Sequence, residues 1–199
     1  MNDSRDHILK TAYLLFLQKN YKAVTMKEIV NKSGLSKGAF YHYFSSKEEL
    51  FKEIVNHYFL KLLDVDYSRF SQESLQAFYQ DVLNNLDNQS PIHMKARKAE
   101  KIGGLNFYAL IFEAIRILPD FKAKFFEVHA EERKAWMKII EIAKAKGEIK
   151  PTMADEHVAR LFIYTNDGAS LSLILNSNFG KLKEELLPIY NGLYDLLKT

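Results

Sequence analysis

The side chains with the clearest chemical potential lie at Lys37-Gly38-Ala39, the opening of a short segment that runs to Tyr43. One long cationic donor is followed by two residues with almost no side chain, so the backbone there can approach another surface closely. A helix start of this kind fits the major groove of B-form DNA. Its first side chains reach base edges while a preceding helix lies against phosphate. Other constellations carry less. Gly168-Ala169-Ser170-Leu171-Ser172 lacks the second glycine of a nucleophile elbow and sits in a helical pattern. Gly180-Lys181 lacks the glycine five residues earlier that a phosphate loop requires. His129 with Glu127 and Glu131, and Asp155 with His157, pair metal-ligating types without the spacing of a zinc-binding helix. No enzyme activity, metal or cofactor is expected.

The elements that position Lys37 are helices. Ile8, Leu9, Ala12, Leu15 and Phe16 recur at helical spacing, and Asn20 stands where a left-handed residue would end that helix. Thr25 with Glu28 three residues on predicts a capped start, and Gly34 stops the resulting helix, 26–33, after about two turns. Ser36 caps 37–43. Ser45 and Ser46, with Glu48 and Glu49, open a further helix at Lys47. Two short helices joined by Gly34-Leu35-Ser36 have the dimensions of a helix-turn-helix, with Ile29, Val30, Leu35, Phe40 and Phe44 as its core. From Lys47 the stripe Leu50, Phe51, Ile54, Val55, Tyr58, Phe59 and Leu62 predicts one long helix. Helices are expected over roughly 72–88, 103–117, 120–146, 154–177 and 182–198, and Pro188 kinks the last or marks its start. The stretch 91–101 crowds Lys95, Arg97, Lys98 and Lys101 without an apolar face and reads as a loop or a mobile helix, its charges solvated.

Composition narrows the class. The chain has 199 residues, 47% hydrophobic and 27% charged, near the average for a soluble globular protein. It has no cysteine, which excludes disulfides, iron–sulfur clusters and thiol catalysis. The formal charge of +3 lies entirely in residues 1–53, which hold 9 Lys+Arg against 6 Asp+Glu. An anionic partner for the N-terminal part follows. The longest stretch without Asp, Glu, Lys or Arg is 13 residues, Gly168 to Gly180, too short for a bilayer crossing. Acidic residues near the start stand where a signal peptide needs a basic flank. A cytoplasmic protein is expected.

The run ILKTAYLLF, then NYKAVTMKEIVNKSGLSKGAFYHYFSSKEELF, covering Ile8 to Phe51, resembles the N-terminal domain of the TetR family of transcriptional regulators. The resemblance is carried by the threonine before the second helix, the Gly-Leu-Ser-Lys-Gly turn, Tyr-His-Tyr-Phe and Ser-Lys-Glu-Glu-Leu. Asn20 departs from the usual glycine but tolerates the same left-handed backbone. Beyond residue 51 only the helical layout and the Gly147-Glu148-Ile149 turn look similar. The resemblance implies that Lys37, Ala39 and His42 touch bases, with Gly38 between them. It implies that Thr25, Lys27, Tyr41 and Lys47 meet phosphates. The residue types agree: lysine can donate to guanine O6 and N7, an alanine methyl can meet a thymine methyl, and hydroxyls bind phosphate.

The expected architecture is therefore all-α. A three-helix helix-turn-helix domain, 1–46, joins a larger effector-binding and dimerisation domain, 47–199, and the helix from Lys47 is shared. Aromatics Phe78, Phe107, Tyr108, Phe112, Trp136, Phe162 and Tyr164, with Asn166 and Asp167 among them, are the candidate walls and polar groups of a small-molecule site. Leu182, Leu186, Ile189, Leu193 and Leu197 form one stripe, and Thr165, Gly168 or Ala169, Ser172 and Asn176 another. The resemblance implies that the last two helices pair with a second copy. The expected function is a homodimeric repressor of a double-stranded operator, released by a small molecule. Its alternatives are an activator or effector-independent regulator, and, from a different class, a helical ligand carrier or enzyme.

Overall fold

Local caps set the first four helices. In the computed structural model, whose described residues are 3–60, 65–88, 104–176 and 179–199, α1 spans Asp3–Lys19 and ends on Asn20 at φ 68°. Its amide donates to Phe16 O at 2.8 Å. Thr25 Oγ1 accepts from Glu28 N at 3.2 Å to start α2, Met26–Ser33, which Gly34 ends at φ 69°. Ser36 Oγ accepts from Ala39 N at 3.2 Å to start α3, Lys37–Tyr43. Ser46 Oγ accepts from Glu49 N at 3.1 Å to start α4, Lys47–Ile54. The Glu49 carboxylate accepts from the Ser45 hydroxyl and amide, with a smaller contribution from the Ser46 amide, and these bonds hold its pKa below the usual range. The helical path from α4 continues as a π-helical turn, Val55–Phe59. The expected stripe is buried from Leu50 to Phe59, and Leu62 lies outside the described residues.

Five more helices follow: α5 Leu75–Asn88, α6 Gly104–Ile117, α7 Pro119–Ala145, α8 Asp155–Leu175 and α9 Leu182–Leu197. Pro188 lies inside α9. Gly147 ends α7's last turn at φ 70°. The stretch 91–101 lies outside the described residues. Among those described, the only extended pairing is one bridge between Ile149 and Lys198. No described helix is long and apolar enough to cross a membrane.

Packing divides the chain into two units. The first comprises Met1–Asp64 and Lys95–Phe125, and the second Val65–Met94 and Phe126–Thr199. The described part of the helix from Lys47 belongs to the first unit. In that unit α1 packs on α2, α4 and α6 around Tyr13, Phe16, Phe40, Phe44, Phe51 and Phe59. Asn106 of α6 donates to Leu17 O at 2.7 Å, closing a free carbonyl at the end of α1. The second unit packs α9 on α5 and α8 around Phe78, Tyr79, Trp136, Phe162 and Tyr190.

Candidate functional site

Helix α3 is anchored by Phe40, with Tyr43 half-buried against the same core. Phe40 is fully buried against the α1 core, while Lys37, Gly38, Ala39, Tyr41 and His42 are exposed. Seven residues make barely two turns, too few to be stable alone, so burial of Phe40 and the Ser36 cap hold the outward face in place. Phe44, also buried, ends the helix, and the Arg5 guanidinium lies 5.5 Å from its ring centre. Arg5 in turn pairs with Glu53 of α4. On α2, Thr25 and Lys27 are exposed. The turn between α2 and α3 is secured from α1, where the His7 ring nitrogen Nε2 sits 3.0 Å from Ser33 O.

Lys47 has a structural role that its position in the sequence does not disclose. Its ammonium donates to Tyr21 O at 3.0 Å and to Val24 O at 2.9 Å, and lies 4.4 Å from the centre of the Tyr21 ring. It therefore fastens the turn between α1 and α2 to the start of α4. Two of its three N–H donors are used. The eight residues expected to meet DNA thus comprise seven exposed side chains or glycine and this one half-buried latch.

The nine residues expected around a ligand fall in both units. Phe107, Tyr108 and Phe112 belong to the first, where Phe107 meets Phe59 and Phe112 is exposed. Phe78, Trp136, Phe162, Tyr164, Asn166 and Asp167 belong to the second. Phe78, Trp136 and Phe162 are fully buried against one another, with Trp136 stacked on Phe162 at 4.8 Å. Tyr164 is exposed and, with His157, Arg160, Leu161 and Thr165, lines a surface depression of about 300 Å³.

Glu132 and Tyr67 were not singled out from the sequence, though Glu132 meets both His129 and Tyr67 in the second unit. His129, weighed with Glu127 and Glu131, meets Glu132 instead, with Nδ1 at 3.5 Å from Oε2. The hydrogen bond to Glu132 holds the imidazole pKa above its ordinary value against the effect of burial. The Tyr67 hydroxyl donates to the same carboxylate, and burial pushes its pKa well up. Asp167 is exposed, and desolvation of its carboxyl by the protein around it, followed by the Glu132 charge, raises its pKa. A histidine at three-residue spacing from a glutamate on an inward stripe was the available signal.

Of the residues expected at a dimer surface, Leu182, Leu186 and Leu197 are buried inside the second unit, and Leu193 and Ala169 pack against that core. This corrects the stripe: an apolar face can be covered once, and these leucines are covered by their own chain. Ile189 and Ser172 are exposed and Thr165 is half-buried. The large apolar side chains left exposed on α8 are Leu161, Tyr164, Leu171 and Leu175, at three- and four-residue steps, and on α9 Leu187, Ile189 and Leu196.

Known proteins match these features. Residues 8–54 match the family described as bacterial regulatory proteins, tetR family. The chain is 27% identical over 159 residues to the HTH-type transcriptional repressor KstR2 of Mycolicibacterium smegmatis, an alignment covering 78% of this chain and 72% of that protein. It is 43% identical over 58 residues to the uncharacterized HTH-type transcriptional regulator YerO of Bacillus subtilis, covering 29% of this chain and 20% of YerO. A TetR transcription regulator from Haloarcula marismortui superposes over 100% of both chains with a TM-score of 0.67 at 15% identity, which speaks for the fold. The match from Ile8 to Ile54 makes this helix-turn-helix segment a domain of the tetR family of bacterial regulatory proteins, and the chain as a whole shares the fold of a solved TetR regulator.

Proposed function

We propose that the chain is a repressor that binds a pseudo-palindromic operator as a homodimer and is released by a small-molecule effector. The observation that carries the DNA reading is α3, where a single buried anchor, Phe40, leaves Lys37, Gly38, Ala39, Tyr41 and His42 facing solvent. In this reading Lys37, Ala39 and His42 meet base edges, and Gly38 lets the backbone come close. Thr25, Lys27 and Tyr41 bind phosphate, as does the remaining N–H of Lys47 beside the N-terminus of α4. The DNA-binding part is 1–46, and 47–199 binds effector and the second copy, with the helix from Lys47 serving both.

The sense of regulation follows KstR2, which is named a repressor. Dimerisation is supported by the apolar side chains that α8 and α9 leave uncovered, Leu161, Tyr164, Leu171, Leu175, Leu187, Ile189 and Leu196. A two-fold pair of recognition helices reads half-sites about 34–36 Å apart, one turn of DNA. Effector and operator are then reciprocally coupled. An effector that weakens DNA binding a hundredfold, about 2.7 kcal/mol, itself binds the DNA-bound protein a hundredfold less well.

The test is selection from a random duplex pool at about 0.15 M salt, with the mass of the protein–DNA complex measured by sedimentation. The reading expects an enriched inverted repeat holding an even number of chains. Enrichment of a non-repeated site by a single chain, or none at all, contradicts it.

A further inference from the structure

Helix α8 carries a face that the described residues of its own chain leave uncovered. Leu161, Thr165, Gly168, Ser172 and Leu175 follow one another at steps of three and four residues, with Tyr164 and Leu171 beside them, so they share one side of the helix. Tyr164 is 61% exposed and Leu175 57%. Gly168 stands at the middle. Glycine inside a helix weakens it relative to alanine. A β-carbon on Gly168 would stand in open space, so no contact among the described residues asks for glycine there.

The two ends of this face are unlike. Toward the helix start lies the depression of about 300 Å³ lined by His157, Arg160, Leu161, Tyr164 and Thr165. Arg160 Nε is enclosed without a hydrogen-bond partner among the described residues, so the depression is not finished by its own chain. Toward the helix end stand Leu171 and Leu175, both exposed. Gly168 is midway, with Leu161 seven residues before it and Leu175 seven after. A contact between two like copies needs a surface that fits itself across a two-fold axis. Near such an axis a charged residue faces its own copy. From Leu161 to Leu175 the one charged residue is Asp167, and as the neighbour of Gly168 it is turned about 100° away. The exposed parts of Leu161, Tyr164, Leu171 and Leu175 come to about 400 Å² on each copy, half of the ~800 Å² that a stable partner face buries. Leu187, Ile189 and Leu196 of α9, also exposed, are available for the rest.

We propose that two copies of this chain pair through α8 in antiparallel register, with Gly168 on Gly168 at the two-fold axis. Leu161 of one copy meets Leu175 of the other, Tyr164 meets Leu171, and Thr165 meets Ser172, hydroxyl to hydroxyl. Leu171 and Leu175 of the second copy close the depression, which in a single chain is half a cleft. The two glycines let the helices approach where any side chain would hold them apart. This register deepens the homodimer reading above and rests on it.

The chain has no cysteine, so introduced thiols report alone. Full-length Thr165→Cys and Ser172→Cys chains are produced singly and co-expressed, oxidised with copper phenanthroline and run on a non-reducing gel, while sedimentation gives the mass of the wild-type chain. Measured along the helix, position 165 stands about 9 Å from itself across the axis and position 172 about 12 Å, whereas 165 and 172 of opposite copies differ by about 1.5 Å. A disulfide spans no more than about 7 Å between α-carbons. The expected result is a covalent dimer from the co-expressed chains, in about half of the dimers, and little from either variant alone. Gly168→Leu brings a better helix former, so it should keep the wild-type helix content, and it should raise the dissociation constant of the dimer about tenfold or more. Cross-linking of either single variant as complete as that of the pair overturns the register, as does unchanged dimer affinity in a folded Gly168→Leu chain. A wild-type dimer whose co-expressed variants stay uncross-linked overturns the register and keeps the homodimer. A wild-type chain that sediments as a monomer overturns both.

Discussion

Replacing Lys47 by methionine keeps the aliphatic stem and removes the ammonium that holds Tyr21 O and Val24 O at 3.0 and 2.9 Å. Hydrogen bonds from a charged group contribute about 1.5–3 kcal/mol each when enclosed. Lys47 is half-buried, so water can partly replace it at both carbonyls, and the Tyr21 ring adds about 0.5 kcal/mol. The sum after that discount is about 2 kcal/mol. For a chain of this size it lowers the melting temperature by about 4–8 °C. Thermal unfolding followed by circular dichroism measures it. The DNA contribution is read separately, where both proteins are folded, as the slope of log affinity against log salt. Loss of one phosphate contact reduces that slope by about 0.9. A Lys47→Met protein that melts with wild type would show that the two carbonyls need no donor, and the latch would be refuted.

Three further outcomes follow from particular contacts. Gly34→Ala places a β-carbon in open space but on a left-handed backbone at φ 69°, so it should cost about 1 kcal/mol, read by denaturant unfolding. Glu148→Gln weakens a carboxylate that accepts from Leu75 N at 3.0 Å and Gln76 N at 3.4 Å at the start of α5; the expected loss is about 1 kcal/mol by the same measurement. The His129 imidazole is held above its ordinary pKa by its bond to Glu132, with help from Asp167 and against burial and Arg133. A raised pKa means stability that is fully present below the ordinary value near 6.5 and lost as pH rises through the folded-state value. The melting difference between wild type and His129→Gln should therefore shrink as pH rises across that window, and a difference that grows would contradict the assignment.

The helix-turn-helix was legible because its signals are local. Thr25, Ser36 and Ser46 cap helices within three residues of themselves, and Asn20, Gly34 and Gly147 take the left-handed backbone that their types permit. The spans of α2 and α3 agree with expectation to the residue. What was not legible depends on contacts between distant positions. Lys47 reaches carbonyls 26 and 23 residues earlier, and Glu148 caps a helix 73 residues before it. Periodicity marks a face as apolar without saying what covers it, so Leu182, Leu186 and Leu197 resembled an open surface and are core, while Leu171 and Leu175 remain uncovered. The aromatics of the larger part divide for the same reason. Phe162 and Phe112 have like spacing and composition, yet one is buried and the other exposed.

The central claim is that α3 reads bases through its first residues. Wild type and Lys37→Ala are each selected against the same random duplex pool, and the enriched sequences are compared position by position. Lys37 is exposed, so the melting temperature of the variant should match wild type. The account predicts that preference collapses at one symmetry-related pair of base pairs, with about 1–3 kcal/mol of discrimination lost there and the rest of the site retained. An unchanged sequence preference in a folded Lys37→Ala protein would contradict it.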